Sequence, residues 1–370
     1  MKHISVLIKP ASSLCNLRCK YCFYADVSSL REVQSFGKMK KDVVKKMIEN
    51  IYADLEDGDK LTLAFQGGEP TLAGLNYFKY IVNVISEQEK KVRVYYSIQT
   101  NGTIINHKWC QFFKENNFLV GLSIDGHPLY HDLHRVNHKG KGTFQRIIET
   151  KNLFDEYSID YNIMCVLTAP LSEEPEKVFQ FIKEQNIKYI QFIPCLDELH
   201  TQIKSNFALT PKQFAKFYQN IIHLWLTELR NGKYISIKLF DDLINLLVNR
   251  QITSCGILGN CQIQYVIEAD GSVYPCDFYV LDEYRMGHIQ EKTLKELFEQ
   301  DISQNFLCEK EEMSSECSVC PFVNICRGGC KRMKDAMYVD DQGFCGYQYV
   351  LQNFIPKIDE IIEVSKEATF

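Results

Sequence analysis

Cys15, Cys19 and Cys22 stand in the segment SSLCNLRCKYCFYADV at the spacing C-x3-C-x2-C. Three thiolates on so short a loop can converge on one centre, and soft sulfur ligands suit zinc or iron–sulfur groups. Structural zinc closes its tetrahedron with four protein ligands, and no histidine lies close by in the sequence to complete this one. A [4Fe-4S] cubane takes one cysteine per iron, so three cysteines leave one iron open to a small molecule. Packing alone gives little reason for this spacing just after an apolar run.

Cysteines crowd again toward the C-terminal end. Cys255 and Cys261 precede a predicted hairpin, and Gly271 and Cys276 form G-x4-C within it. Cys317, Cys320, Cys326 and Cys330 then form C-x2-C-x5-C-x3-C, and Cys345 follows after a gap. These eight cysteines suffice for two fully ligated four-cysteine clusters. C-x2-C pairs also serve tetrahedral zinc, and spacing alone leaves both readings open. Cys110, Cys165, Cys195 and Cys308 fall outside these patterns and read as reduced thiols within the fold.

The rest of the chain must position these groups. Its 370 residues, 45% hydrophobic and 24% charged, are enough for a large core and more than one domain. A net charge of −5, with both signs mixed along the chain, provides no basic stripe for nucleic acid and no polybasic membrane patch. The N-terminal MKHISVLIKPASS reads as a first strand rather than a signal peptide, and no stretch is long and apolar enough to span a bilayer. The expected location is the cytoplasm, where thiols stay reduced, so the 15 cysteines are not read as a disulfide framework.

Short β-branched runs recur at about residues 3–9, 60–66, 92–99, 118–124, 159–167 and 188–194. Helical periodicity lies between them, as in DVVKKMIENIYADL, LNYFKYIVNVISEQEKK and TFQRIIETKNLFDEY. Six strand–helix units predict an α/β fold with a parallel sheet, and a partial barrel is favoured over an open doubly wound sheet. The cysteine triplet, QGGEP (66–70), QTNG (99–102), SIDG (123–126), TAP (168–170) and PCLD (194–197) each follow a strand, on the rim where such folds keep their chemistry. From about residue 200 the pattern changes. TPKQFAKFYQNIIHLWLTELRNG reads as a bridging helix capped by Thr210, and QIQYVIEADGSVYPCDFYV as a hairpin turning at Asp270-Gly271. The expected division is 1–230 and 231–370.

CNLRCKYC resembles the signature of the radical S-adenosylmethionine superfamily. The resemblance implies a (β/α)6 partial barrel in which three cysteines hold a [4Fe-4S] cluster. S-adenosylmethionine chelates the open iron and is cleaved to a 5′-deoxyadenosyl radical. It further implies Tyr21 against the adenine, and QGGEP bringing Gly67, Gly68 and the Glu69 carboxylate to the methionyl amino group. Ser123 and Arg135 would meet the ribose or methionyl end, and Leu196 the adenine. Tyr21 and Leu196 also suit plain packing, and Arg135 a solvated surface. His127, His131, His134 and His138 read as polar surface or substrate contacts rather than zinc ligands.

The C-terminal cysteine order resembles the SPASM domain, which carries two auxiliary [4Fe-4S] clusters. By that resemblance Cys255, Cys261, Cys276 and Cys330 serve the first, and Cys317, Cys320, Cys326 and Cys345 the second. Together with LAFQGGEPTL, SIQTNGT and GLSIDGHPLYHDLHR, the pattern most resembles the anaerobic sulfatase-maturating enzymes across nearly the whole chain. These convert the Cys or Ser of a sulfatase Cys/Ser-x-Pro-x-Arg motif to Cα-formylglycine, taking the sulfatase polypeptide as partner and an external one-electron donor. Sibling enzymes that crosslink peptides often add an N-terminal peptide-binding domain, which is not expected here because the first strand begins at about residue 3. A non-enzymatic iron–sulfur carrier would need no GGEP element.

That reaction needs a base. Asp277, directly after Cys276, is the candidate, since a partly desolvated carboxylate beside anionic thiolates accepts a proton more readily. An aspartate at a hairpin end also caps backbone amides. Tyr24 and Gln66, beside rim motifs, are expected on the wall of the substrate cavity.

Overall fold

The computed structural model describes residues 1–309 and 312–366. Among them are ten strands: β1 (His3–Ile8), β2 (Lys60–Phe65), β3 (Arg93–Thr100), β4 (Phe118–Ser123), β5 (Tyr161–Leu167), β6 (Tyr189–Pro194), β7 (Ser236–Ile237), β8 (Val266–Ile267), β9 (Ser272–Tyr274) and β10 (Gly287–His288). The six predicted strands are β1 to β6, with ends shifted by one or two residues. The chain forms two compact units. The first comprises Met1–Ser123, Arg135–Tyr161 and Gln262–Glu309; the second comprises Ile124–His134, Asn162–Cys261 and the described part of Lys310–Phe370. Each is therefore built from separated stretches of sequence.

In the first unit the strand order is β10-β9-β8-β1-β2-β3-β4. Alternation fixes the faces: Ile4, Val6 and Ile8 of β1 and Leu61, Leu63 and Phe65 of β2 are buried, with the intervening residues less so. Parallel register then decides which loops are neighbours. Ile8 lies opposite Phe65, Phe65 opposite Ile98, and Thr100 opposite Leu122, so the segments after β1, β2, β3 and β4 leave the sheet side by side. Helices α1 (Phe23–Ser29), α2 (Lys41–Ala53), α3 (Leu75–Ser86) and α4 (His107–Glu115), with Phe144–Glu156, occupy the connections. Their apolar stripes, such as Val44, Met47, Ile48 and Ile51 of α2, are fully buried.

The hairpin predicted around Asp270-Gly271 forms, with strands of only two and three residues. Gly271 at φ +100 makes the turn, and a Cβ there would lie 2.6 Å from the His288 ring. The hairpin extends the first sheet, because Leu7 and Ile8 pair in parallel with Val266 and Ile267. A buried ion pair seals this join. Arg31, just beyond α1, donates to Glu268 at the end of β8 at 2.6 Å, and both side chains are shut from solvent. The Tyr24 hydroxyl donates to the same Glu268 oxygen.

The second unit contains β5-β6-β7, with Leu167 opposite Pro194. The bridging helix spans Pro211–Arg230, and Thr210 and Gln213 form a reciprocal capping box at its start. Trp225 anchors it from the buried side, donating its Nε1–H to the Ile235 carbonyl at 2.8 Å. The helix Gly346–Phe354 packs on it so closely that a Cβ on Gly346 would lie 2.4 Å from the Pro211 carbonyl.

Replacing Glu268 with glutamine leaves Arg31 buried without a counter-charge and is expected to cost about 3–5 kcal/mol of stability. Arg31→Met combined with Glu268→Leu should restore most of that loss. Anaerobic denaturant unfolding of the two variants checks it; equal stability of the single variant and the parent would remove the pair from the account of the join.

Candidate functional site

The triplet lies in the loop after β1. Cys22 is the N-cap of α1 and its sulfur accepts the Ala25 N–H at 3.4 Å, while Cys15 sulfur accepts the Leu17 N–H at 3.4 Å. The Asn101 Nδ2, 3.8 Å from Cys15 sulfur, adds a second donor. Burial pushes the Cys15 thiol up to about 11, opposed by these donors and reinforced by the charges of Glu69 and Cys22. Such a thiol resists ionising alone and ionises when a bound cation compensates the charge. Three soft, partly buried sulfur donors supplied with N–H groups fit an iron–sulfur group.

The QGGEP element supports this loop directly. Gly68 N–H donates to the Ser12 carbonyl at 2.8 Å and Glu69 N–H to the Leu14 carbonyl at 2.7 Å. A Cβ on Gly68 would lie 2.2 Å from the Leu14 oxygen, and one on Gly67 2.9 Å from the Ser12 oxygen. The close approach that requires glycine is thus to the backbone of the cysteine loop. The sequence reading assigned that approach to the methionyl group alone and did not foresee this contact.

Glu69 is buried and ties three rim loops together. Its Oε1 accepts from Thr71 N–H at 3.1 Å, from the Thr71 hydroxyl, and from the Thr100 hydroxyl at 2.8 Å; its Oε2 accepts from Asn101 N–H at 2.7 Å. Burial raises its affinity for a proton, and the same hydrogen bonds oppose the rise. Among the described residues Oε2 has this one donor and so keeps room for another. Asn101 in turn reaches Asn16 Oδ1 at 2.9 Å, which binds QTNG to the cysteine loop. On the loop's other side Arg18 N–H donates to the Val136 carbonyl at 2.7 Å, and the Arg135 guanidinium lies 5.5 Å from the centre of the Tyr21 ring. Ser123, at the end of β4, is buried. Gln66 is half-buried, with its N–H donating to the Ile8 carbonyl. Leu196 belongs to the second unit, half-buried after β6.

Asp277 sits in the short turn Asp277–Tyr279 behind Cys276, and its Oδ1 accepts from Lys9 Nζ at 2.5 Å. Lys9, the last residue before the cysteine loop begins to turn, is fully buried, with Nζ 3.6 Å from the centre of the Tyr24 ring. The sequence reading missed Lys9. A lysine between buried Ile8 and Pro10 at the head of a rim loop was the available signal. Tyr24, expected on a cavity wall, has its face against Lys9 and its hydroxyl on Glu268. Burial, with the Glu268 charge, holds that phenol well above its ordinary range.

In the second unit, a Cβ on Gly256 would lie 2.8 Å from Cys330 Cβ, so the loop of Cys255 approaches Cys330. Cys326 is pushed up by burial and by the charges of Cys317 and Cys320, and Cys345 to about 11 by burial and by Cys326 and Cys317. Cys276 lies in the first unit. Among the described residues no three His, Cys, Asp or Glu side chains converge as the ligands of a single metal ion would. A cubane instead spreads its ligand sulfurs over separate irons. Cys110, Cys165 and Cys195 are buried, and Cys308 is exposed.

The radical SAM superfamily model matches residues 10–182, and an iron–sulfur cluster-binding (SPASM) domain model matches 255–321. The cysteine-type anaerobic sulfatase-maturating enzyme of Clostridium novyi (strain NT) is 42% identical over 350 residues, 93% of each chain. The chain belongs to the anaerobic sulfatase-maturating enzymes of the radical SAM superfamily. The solved structure of native anSMEcpe with bound AdoMet superposes with a TM-score of 0.90 at 39% identity, covering 97% of this chain and 99% of that one. The same protein with AdoMet and the Kp18Cys peptide gives 0.88 at 39% identity, covering 98% and 99%. The fold is accordingly the radical SAM partial barrel followed by a SPASM domain.

Gly68→Ala is expected to displace the Leu14 carbonyl and spread the triplet without disturbing the sheet. After anaerobic reconstitution this variant should show parental far-UV circular dichroism and about four fewer irons per chain, one cluster's worth. A full complement of iron would show that the loop tolerates the added methyl.

Proposed function

We propose that this chain oxidises the cysteine of a Cys-x-Pro-x-Arg sequence in an unfolded sulfatase polypeptide to Cα-formylglycine. The substrate Cβ gives up a hydrogen atom, its thiol a proton, and the remaining electron departs. The resulting thioaldehyde is hydrolysed by water to the aldehyde, with release of hydrogen sulfide. When bound, S-adenosylmethionine and three [4Fe-4S] clusters supply the hydrogen-abstracting radical and a sink for the electron, with an external one-electron donor. The likeness to a cysteine-type relative at 42% identity supports cysteine as the preferred substrate residue, with serine oxidised less readily. Among the described residues no helix is long and apolar enough to cross a membrane. We assign the enzyme to the cytoplasm, where its thiols stay reduced.

The observation that carries this reading is the tether between Asp277 and the loop of the triplet. Lys9 leads into that loop and holds one oxygen of the Asp277 carboxylate, so the carboxylate and the triplet share one framework within the first unit. In our reading Asp277 takes the proton from the substrate thiol. Lys9 holds the carboxylate in place and supplies its counter-charge. Tyr24 packs over Lys9 and fixes it. Cys15, Cys19 and Cys22 hold the first cluster. The spare acceptor position on Glu69 Oε2 receives the methionyl ammonium near Gly67 and Gly68. Tyr21, Ser123 and Arg135 complete the cofactor contacts within the first unit, and Gln66 lines the peptide side.

Asp277→Asn keeps the shape and removes the base. With reductant, S-adenosylmethionine and a Cys-x-Pro-x-Arg peptide, this variant should still form deoxyadenosine while formylglycine falls by about 10²–10⁴-fold. Mass spectrometry of the peptide reads the aldehyde directly, and parental product yield would end the assignment of Asp277. Lys9→Met should lower kcat more than it raises KM, since the carboxylate survives without its anchor. A pure KM effect would instead make Lys9 a substrate contact.

A further inference from the structure

Asn101, in the QTNG loop after β3, is buried, and each polar position of its side chain can be assigned. The Thr103 N–H can only donate, and it lies 3.0 Å from one atom of the amide, which is therefore Oδ1. The Thr103 hydroxyl donates to the same oxygen at 2.7 Å. With its hydrogen committed there, that hydroxyl accepts from Asn16 Nδ2 at 2.7 Å. Asn16 Oδ1 is thereby turned toward Asn101 Nδ2, which donates to it at 2.9 Å. The three side chains close a ring of hydrogen bonds that runs in one direction.

An amide nitrogen carries two hydrogens. The ring uses one of those on Asn101 Nδ2, and Cys15 Sγ, 3.8 Å from that nitrogen, is the acceptor for the other. The backbone beneath is held as well, since the Asn101 N–H donates to Glu69 Oε2 at 2.7 Å. Aspartate here would present no hydrogen to the sulfur, and leucine would offer neither donor nor acceptor. The ring and the sulfur contact together call for an amide. All of these residues lie in the first unit.

We propose that Asn101 donates its second amide hydrogen to the Cys15 thiolate when that thiolate binds iron, and so makes the cluster of the triplet easier to reduce. The inference rests on the reading that Cys15, Cys19 and Cys22 hold one [4Fe-4S] cluster. A thiolate accepts a hydrogen bond more strongly than a thiol does, because the acceptor is then charged. A donor on sulfur stabilises the added negative charge of the reduced state, and hydrogen bonds to sulfur are among the factors that set such potentials. Asn101 acts through Cys15, so it is a positioning residue for electron entry, and Thr103 and Asn16 orient it.

The test compares Asn101→Leu with Asn16→Ala in the full-length, anaerobically reconstituted protein without S-adenosylmethionine. Both should hold about twelve irons per chain. A variant combining Cys15→Ala, Cys19→Ala and Cys22→Ala identifies the couple of the triplet as the one it lacks in EPR-monitored potentiometry. That couple should move to more negative potential in Asn101→Leu and stay near the parent in Asn16→Ala, which keeps the donor. An unmoved couple in Asn101→Leu overturns the proposal. An equal shift in both variants also overturns it, since the network would then be a loop tether alone. Should Asn101→Leu fail to take up the cluster, the parent decides. With ¹⁵N confined to asparagine side chains, pulsed EPR of its reduced triplet cluster should show a ¹⁵N coupling that survives Asn16→Ala, and absence of that coupling overturns the proposal. The combined cysteine variant separates this from the reading beneath it: loss of about four irons supports the three-cysteine assignment, whereas a full complement would refute that assignment whatever Asn101 does.

Discussion

Everything at the rim depends on one steric constraint, the contact between the QGGEP turn and the cysteine loop. Two backbone hydrogen bonds, from Gly68 and Glu69 to the Ser12 and Leu14 carbonyls, hold the loop at a distance that no side chain at position 68 would permit. The parallel register of β1 with β2 delivers both segments to the same place. Glu69 then extends the hold sideways to Thr100 and Asn101 after β3, and Asn101 returns to Asn16 and toward Cys15. Three loops from three strands thereby become one rigid support for sulfur ligands, which is the preorganisation a ligand shell requires.

Electrostatics supplies the second constraint. Burial dominates at Cys15 and Cys345 and pushes both thiols up, against the N–H groups that each sulfur accepts. Both ligand groups use a helix start for support: Cys22 caps α1 and Cys345 caps the helix Gly346–Phe354, each sulfur accepting an N–H from the first turn. Beside the triplet the buried charges are paired in series. Lys9 meets Asp277, Tyr24 covers Lys9 and meets Glu268, and Glu268 meets Arg31. A buried charge keeps its place only with its partner, so this chain of contacts fixes the Asp277 carboxylate from the side of the first sheet.

Much of this was legible in the sequence, because local rules govern it. The short strands, the Thr210 N-cap and the Asp270-Gly271 turn depend on neighbours a few residues apart, and they appear where expected. The cysteine spacings were likewise local, and they pointed to the family by resemblance. The pairings of Lys9, Arg31 and Glu268 gave no such local signal: Arg31 and Glu268 are 237 residues apart, and Lys9 and Asp277 are 268 apart. The same distance rule explains Glu69 and Tyr24. Their residue types suggested ligand or cavity roles, yet the folded chain gives each a set of protein partners.

By itself, then, the sequence determined the α/β alternation, the cysteine motifs and the family they resemble, since these are written in residue type, period and spacing. Tertiary structure alone decided that the hairpin of residues 262–280 extends the first sheet, that the QGGEP glycines serve the cysteine loop, and that a lysine anchors Asp277. The physical reason is that burial and pairing of polar groups are settled only when strand register brings distant residues within hydrogen-bond reach, and no short window of sequence contains that register.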